Sequence, residues 1–117
     1  SQSPYPVKYI RDMLAETMRE NLGIVHDADK LQKGIDDVSF YLSVVDKLRF
    51  DSSEMAYFGY SLKGILTLAK ATLLCAQSRQ ESRGAHYRSD HPETSEEFAG
   101  RTAAEYRDGI TVRMIRT

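Results

Sequence analysis

Apolar residues recur at gaps of three and four positions along most of residues 7–82. This spacing places them on one side of an α-helix, so the pattern predicts three amphipathic helices, over residues 7–22, 28–50 and 54–82. The stripe of the first helix comprises Val7, Ile10, Leu14 and Met18. The stripe of the second is the clearest heptad in the chain and comprises Leu31, Ile35, Val38, Leu42 and Val45.

The third helix is apolar on more than one side. One stripe comprises Leu62, Ile65, Leu66, Ala69, Leu73 and Ala76, and a second begins with Leu68 and Leu74. A helix with two apolar sides is buried on both, so this helix should be central, packed against the other two helices and against a third element. That element is either the C-terminal tail or a partner absent from this chain.

Polar residues and glycines mark the helix ends. Asp27 or Asp29 should cap the second helix, where a carboxylate meets the positive end of the helix dipole. Gly23 should end the first helix through a left-handed turn, and Gly84 should end the third. Gly34, inside the second helix, indicates a close helix crossing because glycine there costs about 1 kcal/mol relative to alanine.

The tail changes to a two-residue period. Asp108 and Gly109 form a strong hairpin turn signal, followed by the alternation of Ile110, Val112 and Met114 with polar residues. A two-residue loop would pair residues 107 with 110, 105 with 112 and 103 with 114. Because an isolated hairpin is marginal in water, this one must dock on the helices or on another sheet.

Together these elements predict a single, mainly α domain. Residues 1–100 form an up-down-up three-helix bundle of spectrin-repeat type with a following polar loop, and residues 101–117 form the β-hairpin tail. Phe98 is the one apolar anchor of the polar loop over residues 90–100.

Composition narrows the class of function. The chain has 117 residues and a formal net charge of −1, which argues against nucleic-acid binding. No apolar run approaches the length of a membrane helix, and the N-terminus lacks a signal-peptide pattern, which indicates a cytoplasmic protein. The lone Cys75 lies in an apolar run and is expected to be a small buried hydrophobe rather than a thiolate nucleophile. The chain begins with Ser1 rather than Met, which indicates processing or a segment of a longer protein.

The densest chemistry lies in residues 79–92, RQESRGAHYRSDHP. His86, Asp90, His91 and Glu93 have metal-ligand chemistry but lack the helical spacing of a zinc site. A relay of Ser82, His86 and Asp90 is chemically conceivable but lacks a nucleophile elbow. The simplest interpretation is that Arg79, Arg83 and Arg88 pair with Glu81, Asp90 or helix-end carbonyls. His26 is interpreted as a lone loop histidine.

Residues 81–93, ESRGAHYRSDHPE, resemble the ESRGAHxRxDxPE segment of the flavoprotein subunit of succinate dehydrogenase and fumarate reductase, of which L-aspartate oxidase is a relative. The resemblance extends to MRENLGIVHDA at residues 18–28, to the helix preceding the motif and to the hairpin, and it covers the C-terminal part of the family's proteins. Two positions bear on which branch of the family the chain resembles. Residues 93–98, ETSEEF, stand where the family often has an acidic Arg-Asp-Asp-Glu-Asn-Trp-like stretch. Ala85 stands where L-aspartate oxidases tend to have Leu, and this difference favours the dehydrogenase and reductase branch.

The resemblance implies a parent protein that binds FAD in an earlier Rossmann-type domain and interconverts succinate and fumarate. No catalytic or FAD-binding residue carries over, because this chain has no Gly-rich dinucleotide fingerprint. The chain alone is therefore expected to be inactive and to bind neither cofactor nor metal. Its expected partners are the FAD-binding domain of the same parent and an iron–sulfur subunit at the membrane face, without membrane insertion.

Three functions follow from these interpretations. The first is a non-catalytic docking domain of a flavoprotein, the second a free-standing helical interaction module, and the third a small enzyme or metal protein built on the Ser/His/Asp cluster. For the first, the second apolar side of the third helix and an exposed mixed-charge motif would form the docking surface. The candidate docking residues are Arg79, Glu81, Ser82, Arg83, Gly84, His86, Arg88 and Asp90.

Overall fold

The computed structural model describes residues 5–23, 25–48, 52–83, 86–106 and 109–116. Helix α1 spans Tyr5–Asn21, α2 spans Ala28–Asp46 and α3 spans Ser53–Ser78. A short 3₁₀ turn at Glu96–Phe98 leads into strands β1, Gly100–Tyr106, and β2, Ile110–Arg116. The predicted bundle of three helices with a C-terminal hairpin is confirmed.

The core lies where the three helices meet, since each helix contacts the other two. Its buried apolar residues, all but Tyr41, come from the predicted stripes: Ile10, Leu14, Leu31, Ile35, Val38, Tyr41, Val45, Leu62, Leu66, Leu73 and Ala76. Gly34 permits the closest approach, because a Cβ there would lie 3.1 Å from both Asn21 Cβ and Leu73 Cδ2. The predicted close crossing is thus confirmed. Cys75 is half-buried at the edge of this core, and burial raises the pKa of its thiol.

The helix ends differ in detail from the sequence prediction. Helix α2 ends at Asp46 rather than residue 50, because the amides of Lys47 and Leu48 turn back onto carbonyls three residues earlier. Helix α3 ends at Ser78 rather than at residue 82. The left-handed turn expected at Gly23 is wrong, since Gly23 does not have a positive φ. A Cβ at this glycine would lie 2.9 Å from the Arg19 carbonyl oxygen, so its role is to provide space.

Of the remaining end signals, Asp27 lies within the described residues. Asp27 caps α2, where its carboxylate accepts a hydrogen bond of 2.9 Å from the Lys30 amide. Gly84, expected to end α3, lies outside the described residues, as does Asp108 of the hairpin turn.

The hairpin forms as predicted but in a register shifted by one residue. Tyr106 pairs with Ile110, and Ala104 rather than Glu105 lies opposite Val112. A three-residue loop therefore joins the strands, with Gly109 at a φ of 133°. This register is favoured because it sets an alanine rather than a carboxylate beside valine on one face of the sheet.

Both strands of the hairpin contact α3, so the tail is the third element packed on this helix. It covers only part of the second apolar side. Leu68 of that side remains 69% exposed, and Ile65 of the first stripe is 39% exposed. Within the described ranges, no helix combines the length and the apolar composition that a bilayer-spanning segment needs.

A pair of glycine substitutions tests this packing. Gly64→Ala should raise the free energy of unfolding by roughly 0.5–1 kcal/mol, because alanine favours the helix and a Cβ at this position meets no atom within 4 Å. Gly34→Ala should lower it, because overpacking costs about 1–3 kcal/mol and outweighs the same helical gain. Urea denaturation followed by circular dichroism measures both. Equal stabilisation at the two positions would contradict the close crossing at Gly34.

Candidate functional site

Residues 79–95, here called the motif segment, leave the C-terminal end of α3 and fold back beside the link between α1 and α2. Within the described part of this segment, Arg83 pairs with His86 and Arg88 with His91 in isolated antiparallel bridges. Arg88 also forms a parallel bridge with His26 of the α1–α2 link. Its backbone is fixed there by hydrogen bonds from the His26 amide to the Tyr87 carbonyl (3.1 Å) and from the Ser89 amide to the His26 carbonyl (2.8 Å).

Glu81 is the buried anion of the segment, with a side-chain exposure of 0%. Its carboxylate accepts hydrogen bonds from Arg79 Nη2 (2.7 Å), Arg83 Nε (3.1 Å) and the Ser95 amide (3.0 Å). Burial is the largest influence and raises the pKa of Glu81, but the bonds from Arg83, Ser95 and Arg79 together lower that pKa below its ordinary value. The group is therefore a fully paired carboxylate rather than a buried acid poised for proton transfer.

Arg79 connects this carboxylate to the tail. Its Nη1 donates to Thr102 Oγ1 of β1 at 3.0 Å, and its Nη2 donates to the Phe98 carbonyl at 2.6 Å. One guanidinium thus joins the end of α3, the 3₁₀ turn and the hairpin. The planar array of five N–H donors in arginine suits a position with several acceptors in different directions.

Arg88 and Asp90 join the ends of two antiparallel helices. Arg88, only 2% exposed, donates through Nη1 to the carbonyl of Gln77 in the last turn of α3 at 2.8 Å. Its Nε and Nη2 contact both oxygens of Asp90 at 3.0 and 2.7 Å. Asp90 Oδ2 also accepts from the Ala28 amide, the first of α2, at 3.1 Å. The cation therefore lies at the negative end of α3 and the anion at the positive end of α2.

The hydrogen bonds to Asp90 also affect its proton affinity. The bond from Arg88 is the largest influence and lowers the pKa of Asp90, and the charge of Arg88 and the Ala28 amide lower it further against the opposing effect of burial. The ion pair thus persists at any pH near neutrality.

Two histidines form a chain between two backbone carbonyls. His26 Nδ1 lies 3.0 Å from the Gly23 carbonyl oxygen, His26 Nε2 lies 3.2 Å from His86 Nδ1, and His86 Nε2 lies 3.1 Å from the Arg79 carbonyl oxygen. Each carbonyl can only accept, so both require a proton on the facing ring nitrogen. Two neutral imidazoles carry one N–H each, so no proton lies between the two ring nitrogens that face each other, His26 Nε2 and His86 Nδ1. A third proton would allow these two nitrogens to form a hydrogen bond.

Burial lowers the pKa of His86, and the charges of His26, Arg79 and Arg88 lower it further against the opposing Arg79 carbonyl. A proton that charges His86 is therefore disfavoured at neutral pH. Glu81 and Asp90, paired with the arginines, are the nearby anions of the segment.

Ser82 is a structural serine. Its hydroxyl donates to the His91 carbonyl (2.8 Å) and accepts from the Arg88 amide (3.0 Å), and Thr94 Oγ1 donates to the Ser82 carbonyl at 2.7 Å. None of these contacts joins Ser82 to His86, and Asp90 pairs with Arg88 instead. The arrangement therefore does not form the Ser/His/Asp relay considered from the sequence.

A polar cleft of about 550 Å³ lies beside this segment, lined by Gln80 and residues 90–96. It is open and bordered by carboxylates. Among the residues that the structure describes, no three His, Cys, Asp or Glu side chains converge as metal ligands would. The site thus holds backbone and ionic contacts of its own chain and presents little reactive chemistry.

Seven of the eight candidate docking residues lie together in this network, and Gly84 falls outside the described residues. The expectation that the arginines pair with Glu81, Asp90 and helix-end carbonyls is confirmed. The expectation of an exposed motif is wrong for Glu81, Ser82 and Arg88, which are buried. They are buried because the α1–α2 link and residues 93–95 pack over them with matching hydrogen-bonding groups.

Sequence reasoning missed the role of His26, which is 4% exposed and contacts a histidine 60 positions away. It also missed Thr102 and Phe98 as partners of Arg79. A histidine between two helices carries no local signal for such a contact. The only hint was the likeness of residues 18–28 to the same family that the motif resembles.

Comparisons with known proteins agree on one family. Residues 11–116 match the sequence model described as fumarate reductase flavoprotein C-term. A succinate dehydrogenase flavoprotein subunit from Bacillus subtilis is 34% identical over 89 residues, covering 72% of this chain and 15% of the relative. An L-aspartate oxidase from Pyrococcus furiosus is 33% identical over 87 residues, covering 74% and 15%.

The fold also matches a solved structure. The FrdA chain of quinol fumarate reductase from E. coli superposes with a TM-score of 0.81 at 25% identity, over 94% of this chain and 20% of that chain. This chain thus spans between 15 and 20% of the lengths of these relatives.

The bridge between helix ends predicts a large cost for losing Arg88. Arg88→Met keeps most of the side-chain volume but leaves the Gln77 carbonyl without its donor and Asp90 without its ionic partner, so the free energy of unfolding should fall by about 3 kcal/mol. Urea denaturation measures it. The matched control is Arg113→Met, whose 3.4 Å pair with Glu105 is exposed and should contribute less than about 1 kcal/mol. Similar losses in both variants would refute the bridge.

The paired groups also predict a domain that loses stability in acid. Because the pKa of His86 is lowered from 6.5, the unfolded chain takes up the proton first as pH falls through that value, and stability declines. The lowered pKa values of Glu81 and Asp90 add a further loss as pH falls below 4.5 and 3.8. Denaturant titrations from about pH 8 to about pH 2 test this order of events.

A pair of histidine variants isolates the upper part of this profile. His86→Gln should flatten the dependence above about pH 5 and leave the carboxylate part in place. His91→Gln, in a half-buried position of the same segment outside the His26–His86 chain, should retain the dependence above about pH 5. An unchanged slope in His86→Gln would show that the histidine pair does not contribute.

Proposed function

Because the chain belongs to the family of fumarate reductase flavoprotein C-terminal domains, we propose that it is a non-catalytic domain that packs against the FAD-binding part of a succinate/fumarate oxidoreductase. The observation that supports this proposal is that the motif segment bonds to its own domain. Its charged groups pair with one another and with backbone groups of the domain: Arg79, Glu81, Arg88 and Asp90. A segment so constructed stabilises a shape rather than performing a reaction.

The surface of the motif segment is the proposed contact region for the flavin-binding part. Arg83 is 39% exposed at its side chain, while Glu81 holds its Nε and the Ser95 carbonyl accepts from its Nη2 at 3.2 Å, so the exposed guanidinium is fixed in one orientation. Tyr87, 42% exposed, lies in the same segment, where its carbonyl accepts from the His26 amide. Arginine and tyrosine are the residues that most often carry binding energy at protein interfaces. The support beneath this contact region comes from the remaining candidates that the structure describes: Arg79, Ser82, His86, Arg88 and Asp90.

FAD would be bound by the other part of the polypeptide. This chain contains no Gly-rich dinucleotide fingerprint. An iron–sulfur subunit and a location at the face of a membrane are further elements of the proposal, which follow from the kind of protein to which the chain is similar. Whether the parent enzyme oxidises succinate or reduces fumarate would be determined by the flavin-binding part.

L-aspartate oxidase is the second candidate for the parent enzyme. It is favoured by the relative from Pyrococcus furiosus, which is 33% identical over much of this chain. In that case the docking role of the domain would be the same and only the substrate of the flavin-binding part would differ. Assay of the complete polypeptide with succinate and with L-aspartate distinguishes the two.

The docking proposal predicts a complex in solution. When this chain is mixed with the separately expressed flavin-binding part of its polypeptide, the two should elute together from a size-exclusion column with absorbance at flavin wavelengths. The chain alone should be colourless. Arg83→Ala should weaken the complex about tenfold or more, because an oriented arginine at an interface contributes over 1 kcal/mol.

The matched control for that measurement is Arg113→Ala, an arginine on the hairpin outside the motif segment. It should elute with the flavin-binding part as the unmodified chain does. Separate elution of a well-folded unmodified chain would overturn the docking proposal and favour a free-standing interaction module.

A further inference from the structure

One face of α3 is apolar and uncovered. Tyr57, Tyr60 and Leu68 are 68, 76 and 69% exposed. At 100° per residue, these positions and Gly64 fall within one narrow sector of the helix, opposite the buried Leu62 and Leu66. Large aromatic and aliphatic side chains clustered on one exposed helix face mark an interaction surface rather than scattered surface residues.

Gly64 lies at the centre of this face and has no role within the domain. A Cβ at this position would meet no atom within 4 Å, in contrast to Gly34, whose Cβ would press on two side chains. Glycine inside a helix lowers its stability relative to alanine. A glycine without an internal packing reason, flanked by exposed Tyr60 and Leu68 one turn away on either side, suits the close approach of another backbone.

The hairpin extends this face. A cleft of about 260 Å³ runs between α3 and the strands, and its wall includes Gly64, Leu68, Ala104 and Tyr106. Tyr106 is 71% exposed at its rim. The helix face and the cleft therefore form one continuous surface, here called the α3 face and defined by Tyr57, Tyr60, Gly64, Leu68 and Tyr106.

The five residues of the α3 face carry no charge. Two ionised groups border this face, and both are paired within the domain. Lys63, next to Gly64, pairs with Asp46 of α2 at 3.0 Å, and Glu105, in the wall of the cleft, pairs with Arg113 at 3.4 Å. Apolar surfaces of this kind are typical of permanent interfaces, and those of transient partners are more polar. The occupant should thus be an apolar segment with small side chains that is joined permanently to this domain.

We infer that the α3 face is a second contact surface for the flavin-binding part of the same polypeptide, which seats a tightly packed apolar segment on Gly64. This inference rests on the proposed function and names the surface used. The relatives supply the reason for the choice of occupant, since this chain covers only 15 to 20% of their lengths and the rest of each polypeptide is available to cover it.

Gly64 allows a test in which stability and binding change in opposite directions. The complex of the 117-residue chain with the flavin-binding part is titrated by fluorescence or calorimetry for the unmodified chain, Gly64→Ala, Gly64→Leu and Leu68→Ala. Gly64→Ala should unfold at a higher urea concentration yet bind at least several-fold more weakly. Gly64→Leu and Leu68→Ala should weaken binding about tenfold or more. Phe40→Ala, at an exposed aromatic position of α2 (62% exposed), is the matched control and should bind normally.

Each other outcome has a definite meaning. If the unmodified chain binds and the three α3-face variants bind equally well, the inference is wrong and the docking proposal stands. If the unmodified chain does not bind, both fail. If instead the chain alone dimerises and Gly64→Leu abolishes the dimer, the occupant is a second copy and the inference is overturned.

Discussion

The ion pair between Arg88 and Asp90 determines how the polar half of the domain is arranged. Antiparallel α2 and α3 bring the start of one helix beside the end of the other, so unpaired amides and unpaired carbonyls face the same space. A guanidinium on the carbonyls and a carboxylate on the first amide satisfy both ends. The two charges offset each other. The buried cation of Arg88 is therefore not left unpaired, which would be strongly destabilising.

The other contacts of the motif segment depend on that pair. With Arg88 in place, its backbone can bridge to His26, and the same turn places His86 against His26 and against the Arg79 carbonyl. Glu81 then accepts hydrogen bonds from Arg79 and Arg83, and Arg79 also donates to the hairpin. Hydrophobic periodicity therefore positions the helices, and the polar network fixes the helix ends and the tail.

Sequence periodicity was sufficient for the helices, the hairpin and nearly all of the core, because local spacing determines which side of an element is buried. The motif was recognisable as a self-paired cluster for a similar reason, since its acids and bases are close in sequence. The early end of α3, the hairpin register and the partnership of His26 with His86 were not predictable. Each depends on a contact with a distant segment, and such contacts override local signals.

The span of the His26 contacts has a kinetic consequence. His26 meets His86 across a sequence separation of 60 residues, and closing a flexible loop of that length costs roughly 3–4 kcal/mol of chain entropy. No single polar contact returns that much, so the network forms only after α2 and α3 have docked along their apolar stripes. The network is therefore formed late in folding. Weakening it speeds unfolding while leaving the folding rate nearly unchanged, so the lifetime of the folded domain depends on this network.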